Sequence, residues 1–179
     1  MEIYKEQIIG NWTTTIMTYI KTKVKPKMSE LYRLHSRLKQ LENYSSKAGF
    51  WDTKKHPNGK LDSAALANIL NYGANTPGSS GYIPPRPFIV DGALDSTIIL
   101  KTMMVARFKH FLGLYGNKTS PRDTLHPLGI VVARWISNRI LFNTYEPNAP
   151  LTVKLKGFNK PLYESGWLSE NVQVKTRKK

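Results

Sequence analysis

The sequence predicts one globular domain of mixed class, long helices accompanied by antiparallel strands, and three observations carry that expectation. Apolar residues recur at three- and four-residue spacing along several stretches; two short segments near the end alternate apolar with polar; and runs rich in Gly, Pro, Asn and Ser separate these pieces. At 179 residues the chain can bury a core without a covalent or metal staple.

Along the chain, Tyr4, Ile8, Trp12, Ile16, Ile20 and Val24 fall on every fourth position and predict a helical stripe, which Pro26 breaks or kinks. The run Thr13-Thr14-Thr15-Ile16 weakens helix propensity, so residues 1–27 read as an amphipathic extension that depends on packing against something else. Met28, Leu31, Leu34, Leu38 and Leu41 predict a second helix over about 28–44. Lys47-Ala48-Gly49-Phe50-Trp51-Asp52 reads as a strand running into a hairpin or loop at His56-Pro57-Asn58-Gly59. A short helix over 64–72 is started by Asp62 or Ser63 and stopped by Gly73.

Residues 73–81 have a loop composition that buries nothing, and Tyr82 to Val90 is predicted extended, because the prolines at 84, 85 and 87 remove helix and ladder donors alike. Asp95 or Ser96 caps a third long helix with Ile98, Val105, Phe108, Leu112 and Tyr115 on its face. A fourth starts at Ser120-Pro121-Arg122-Asp123, where Ser caps, Pro takes the first position and Asp123 reaches back; it runs through Leu128, Val132, Trp135, Ile136 and Ile140 to about Asn143. Leu151, Val153 and Leu155, and later Val172 and Val174, alternate with polar residues and predict antiparallel strands.

Composition excludes several functions. There is no Cys, hence no disulfide, thiolate metal site or cysteine nucleophile. No apolar run reaches the ~18 residues of a membrane span and the first residues lack a signal-peptide layout, so the expectation is a soluble chain made in a cytoplasm, with no membrane partner. Against 12 acidic residues stand 27 Lys and Arg, a net charge of +15, clustered at Lys21 to Lys27, Lys54-Lys55, Lys154 to Lys160 and Lys175 to Lys179. Such runs are either solvated faces or binding surfaces for phosphates or acidic protein.

Chemistry is sparse. His35, His56, His110 and His126 lie far apart, Asp52, Asp62, Asp91, Asp95 and Asp123 read as turn and cap residues, and neither Gly-rich stretch has a phosphate-loop layout. No catalytic residue, metal or cofactor is therefore expected. Tyr44, Phe50 and Trp51 beside Lys47, Lys54 and Lys55 mix aromatics with charge as single-strand binders do, although Phe50 and Trp51 better suit a core strand.

Ile83-Pro84-Pro85-Arg86-Pro87-Phe88, after Tyr72-Gly73 and a polar loop, resembles a signature of the tailed-phage neck and tail-completion proteins. Pro147 to Gly157, then Pro161-Leu162-Tyr163-Glu164-Ser165-Gly166-Trp167-Leu168, resembles that family's second motif, in the same order and spacing, with Ser165 where the family usually has Thr. The resemblance covers about residues 28–175; segment 1–27 has no counterpart in it, and loop 73–81 is longer than usual.

It implies an α+β domain, a small, mostly antiparallel sheet packed against long helices, assembled as a non-enzymatic homo-oligomeric ring in the virion neck that joins head to tail. Its partners would be other neck, connector and tail proteins, with non-specific contact to packaged DNA. A closed ring needs two unlike faces per subunit. The stripe Tyr4, Ile8, Trp12, Ile16 and Ile20 is expected to supply one, and Pro84, Pro85, Arg86, Pro87 and Phe88 another. Held in a stiff Pro-rich loop, Arg86 either offers its fork to a neighbour's carboxylate or ties the loop to its own domain. Pro161 and Leu162 are expected to anchor the fold, and Ser165 and Gly166 to turn the chain into its last strand. The rival reading is a basic nucleic-acid-binding protein, marked by steeply salt-dependent DNA affinity.

Overall fold

The structure, a computed structural model, describes residues 28–51, 55–57, 59, 61–76, 81–114 and 119–179. The stripe Tyr4, Ile8, Trp12, Ile16 and Ile20 and the basic cluster at 21–27 lie outside them. The described residues divide between Lys39 and Gln40 into two units.

Helix α1 is Met28–Glu42, and none of its residues is buried. Strand β1, Tyr44–Gly49, comes directly after it, earlier than predicted, and Phe50 and Trp51 lie just beyond it. A bridge between Lys55 and Asp62 closes the turn at His56 to Gly59. Helix α2, Ser63–Tyr72, begins where Asp62 accepts a 2.7 Å bond from the Ala65 N–H and ends at Gly73 with φ 76°. A Cβ at Gly73 would meet the Ile83 carbonyl at 2.7 Å, so glycine lets the chain turn tightly here. Part of the expected loop is instead a two-rung ladder of β2, Ala74–Asn75, with β3, Tyr82–Ile83.

The Pro-rich segment is extended only as far as Pro87, where the expectation to Val90 fails. Phe88 N–H bonds the Arg86 carbonyl at 2.7 Å around Pro87 (φ −76°, ψ 49°), close to an inverse γ-turn, and this swings the chain into helix α3, Phe88–Asp95. Proline offers no side-chain cap, so α3 borrows one. Asn71, 2% exposed, accepts from the Ile89 N–H at 3.1 Å. Asn71→Ala should cost about 1–2 kcal/mol by stranding that donor; equilibrium denaturation checks it, with Asn71→Asp, which keeps the acceptor, recovering most of the loss.

Helix α4, Thr97–Leu112, begins immediately after Ser96 and ends at left-handed Gly113. Its buried side carries Phe111 and Leu112, while Ile98 and Val105 of the predicted face point to solvent. Helix α5, Pro121–Leu141, starts as expected, with Ser120 accepting from the Asp123 N–H at 3.0 Å. It is the central element, touching α3, α4 and both long strands. Leu151 to Leu155 is not a strand. Pro150 at the first helical position and Gly157 at φ 78° bound helix α6, Pro150–Lys156. After the one-turn helix α7, Trp167–Glu170, comes β4, Gln173–Lys178, antiparallel to β1 in the register Tyr44↔Lys178 to Gly49↔Gln173. The fold is α+β, two small antiparallel sheets among seven described helices.

Two glycines within helices set further close approaches. A Cβ on Gly92 of α3 would lie 2.7 Å from Ile136 Cα, and one on Gly129 of α5 would lie 2.4 Å from Ser46 Oγ. The core they draw together is Ala67, Phe88, Ile136, Ile140, Leu162 and Leu168, with Phe50 edge-on to Phe88 at 6.1 Å.

Candidate functional site

The two motifs that carry the family resemblance, far apart along the chain, meet at one cavity. Its volume is about 210 Å³, and its wall includes Arg86 from the first motif and Leu162 to Ser165 from the second. Asn148, Thr152 and Lys156 add polar groups from the segment around α6, while Leu66, Leu70, Trp167 and Leu168 add apolar ones.

Alternation along an extended chain explains why Arg86 points inward: Pro85 and Pro87 are exposed, Pro84 is half-buried, and Arg86 and Phe88 are buried. The Arg86 N–H bonds the Leu70 carbonyl at 3.0 Å, fixing the segment to the end of α2. The residue is 4% exposed, and its guanidinium donates through Nε and Nη2 to the Glu146 carbonyl at 3.4 and 3.2 Å. Burial pulls its pKa down, with the Glu146 charge offsetting only part of this. Lys156 donates to the Lys160 carbonyl at 3.0 Å, and its pKa is lowered first by burial, against Glu164 and with Arg86. Asn148 Nδ2 is buried with no acceptor.

At the same cavity His56 Nε2 stands 3.5 Å from Glu164 Oε2 and edge-on to Trp167 at 5.0 Å. Sequence reasoning missed this pair, because more than a hundred residues separate its members. Among the described residues no three His, Asp or Glu gather in a metal-binding group, and no described helix is long and apolar enough to cross a membrane.

Within the expected interface around Arg86, Phe88 requires correction: it is 0% exposed and belongs to the core. Pro85 and Pro87 are exposed, while Arg86 is buried, bonds a carbonyl of its own domain and lines the cavity. The stiffness of the Pro-rich segment says nothing of which side chains face out, and the pleat buries every second one. Of the second motif, Pro161 and Leu162 are buried; the Pro161 carbonyl accepts from Asn143 Nδ2 at 2.9 Å, and Leu162 holds an uncommon φ of 61°. Ser165 is exposed, and Gly166, at φ 86°, starts α7.

Large aliphatic residues face solvent on several helices. Leu151 and Leu155, 69% and 80% exposed, share the outer side of α6 at i and i+4. Val90, Leu94 and Ile98 form a second exposed apolar row along α3 and the start of α4. An open groove of about 480 Å³ runs between Ile99 and Met103 of α4 and Pro127, Ile130 and Trp135 of α5.

Two polar ties brace α3 against α5 and the segment beyond it. Arg139 of α5 forks onto Asp95, with Nη2 at 2.8 Å from Oδ1, holding that carboxyl below its ordinary range, and Tyr145 donates to Asp91. Burial, more than that bond, raises the Tyr145 phenol.

Of the aromatic and cationic residues weighed as a nucleic-acid surface, Lys54 lies outside the described residues, and Phe50 parts from the others. Phe50 packs on the core, while Trp51 carries Lys175 Nζ at 5.4 Å from its ring centre, and Lys47 pairs across the ladder with Lys175. Comparison with family models, with curated proteins and with solved structures returns no match to this chain.

Proposed function

We propose that this protein is a non-enzymatic structural subunit of a tailed-phage virion, one copy of a ring at the neck where head meets tail. Convergence is the supporting observation: the two segments that resemble the neck and tail-completion family come together in space as two walls of one cavity, inside an α+β domain. The exposed rows on α6 and on α3 with α4 are two unlike apolar faces, which head-to-tail ring contacts need. Its partners are further copies of itself and other neck, connector and tail proteins.

The double substitution Leu151→Asp, Leu155→Asp tests the contact. Both side chains are exposed, so stability should hold within about 0.5 kcal/mol, while ring formation and head-tail joining fall at least tenfold. Normal rings from the folded double variant would remove α6 from the interface.

A second reading, nucleic-acid binding, is favoured by Lys47 and Lys175 on the β1–β4 ribbon with Trp51 just beyond it. It calls for DNA affinity that falls steeply with salt and with Trp51→Ala.

A further inference from the structure

We propose that the cavity between the two motifs is a receptor for a carboxylate, delivered by an acidic side chain that a neighbouring polypeptide inserts. As a contact within a ring this rests on the proposed neck function; as an oxyanion site it is tested on the isolated chain.

Arg86 carries the first part of the case. A guanidinium removed from water is costly unless a negative partner compensates it, and here the Nε and Nη2 bonds both end on one neutral carbonyl. Nη1 takes part in neither. Among the described residues no carboxylate stands within ion-pair distance of Arg86, and the Glu146 charge does not cancel the effect of burial. A second cation, Lys156, lines the same cavity, where the Glu164 charge favours it and the Arg86 charge opposes it. An amide donor, Asn148 Nδ2, is buried there without an acceptor. Two cations, each bonded only to neutral carbonyls, and one amide donor without an acceptor thus line one cavity. The carboxylate of the wall, Glu164, is 53% exposed and turned to His56 at 3.5 Å.

Shape selects among anions. Leu66, Leu70, Leu162, Trp167 and Leu168 give the cavity apolar walls around this cationic end. A carboxylate on a methylene stem satisfies both parts, its two oxygens matching the planar donor fork of Arg86. A phosphodiester carries sugars on both sides and does not enter a cavity of about 210 Å³ to reach a residue 4% exposed.

The test is an NMR titration of the isolated chain with the blocked tripeptides Gly-Glu-Gly and Gly-Gln-Gly, inorganic phosphate and a short single-stranded oligonucleotide. Saturable shifts of the Asn148 side-chain amide and the Arg86 Nε–H are expected with Gly-Glu-Gly, and at least tenfold weaker binding with Gly-Gln-Gly. Lys156→Met and Asn148→Leu, which leave Arg86 in place, should each weaken the Glu peptide at least fivefold.

Equal response to both peptides, unchanged affinity in both variants, or a response to phosphate or oligonucleotide alone would overturn the proposal. Imaging separates this from the ring reading. A chain that forms rings without binding the Glu peptide loses only this site, and one that binds the peptide but never assembles keeps the site and loses the ring.

Discussion

Phe88→Ala is expected to lower stability by about 4 kcal/mol, the range for truncating a buried Phe, and thermal unfolding should begin roughly 10 °C lower. The side chain is 0% exposed, meets Phe50 edge-on and packs with Ile136, Ile140 and Leu162, none of which can follow a shrinking neighbour without leaving another void. Were Phe88 instead a subunit contact, the same substitution would leave the monomer's stability within about 0.5 kcal/mol of the parent and abolish only assembly. Calorimetry of the isolated chain separates the two.

Gly92→Ala should cost about 2 kcal/mol, although the residue lies within α3, where alanine ordinarily stabilises by about 1 kcal/mol. The added methyl would sit 2.7 Å from Ile136 Cα and 2.8 Å from Ile136 N, both backbone atoms of α5 that cannot rotate aside. The two helices must separate, and the core between them opens. Denaturant unfolding reads the loss, and a gain in stability would show that α3 slides freely over α5.

How much of this was written in the sequence depends on the range of the interactions. The start of α2 at Asp62, its stop at Gly73 and the start of α5 at Ser120 were legible because each rests on one side chain or one backbone conformation at its own helix end. Helix α6 was misread. Leu151, Val153 and Leu155 fit a strand alternation, while Leu151 and Leu155 also fit one helical face, so five residues do not decide between the periods. The boundary signals at Pro150 and Gly157 did decide it.

Strand β1 has the unassertive sequence Tyr-Ser-Ser-Lys-Ala-Gly and is a strand because β4, more than a hundred residues later, pairs with it. On α4 the apolar residues Ile98, Ile99, Leu100, Met103 and Met104 surround the helix, so periodicity could not choose the buried side. The cavity was invisible for the same reason as β1. Arg86, Lys156 and Glu164 are neighbours only in space, and Gly92, Gly129 and Asn71 have meaning only once their partners are placed.

The central claim is that this chain is a ring subunit of a phage neck. Negative-stain imaging of the purified protein, together with virions labelled at this subunit, tests it most directly. Closed rings of uniform diameter, with the label confined to the junction of head and tail, are the expected result. Single particles of monomer size at every protein concentration, with no label on the virion, would contradict it.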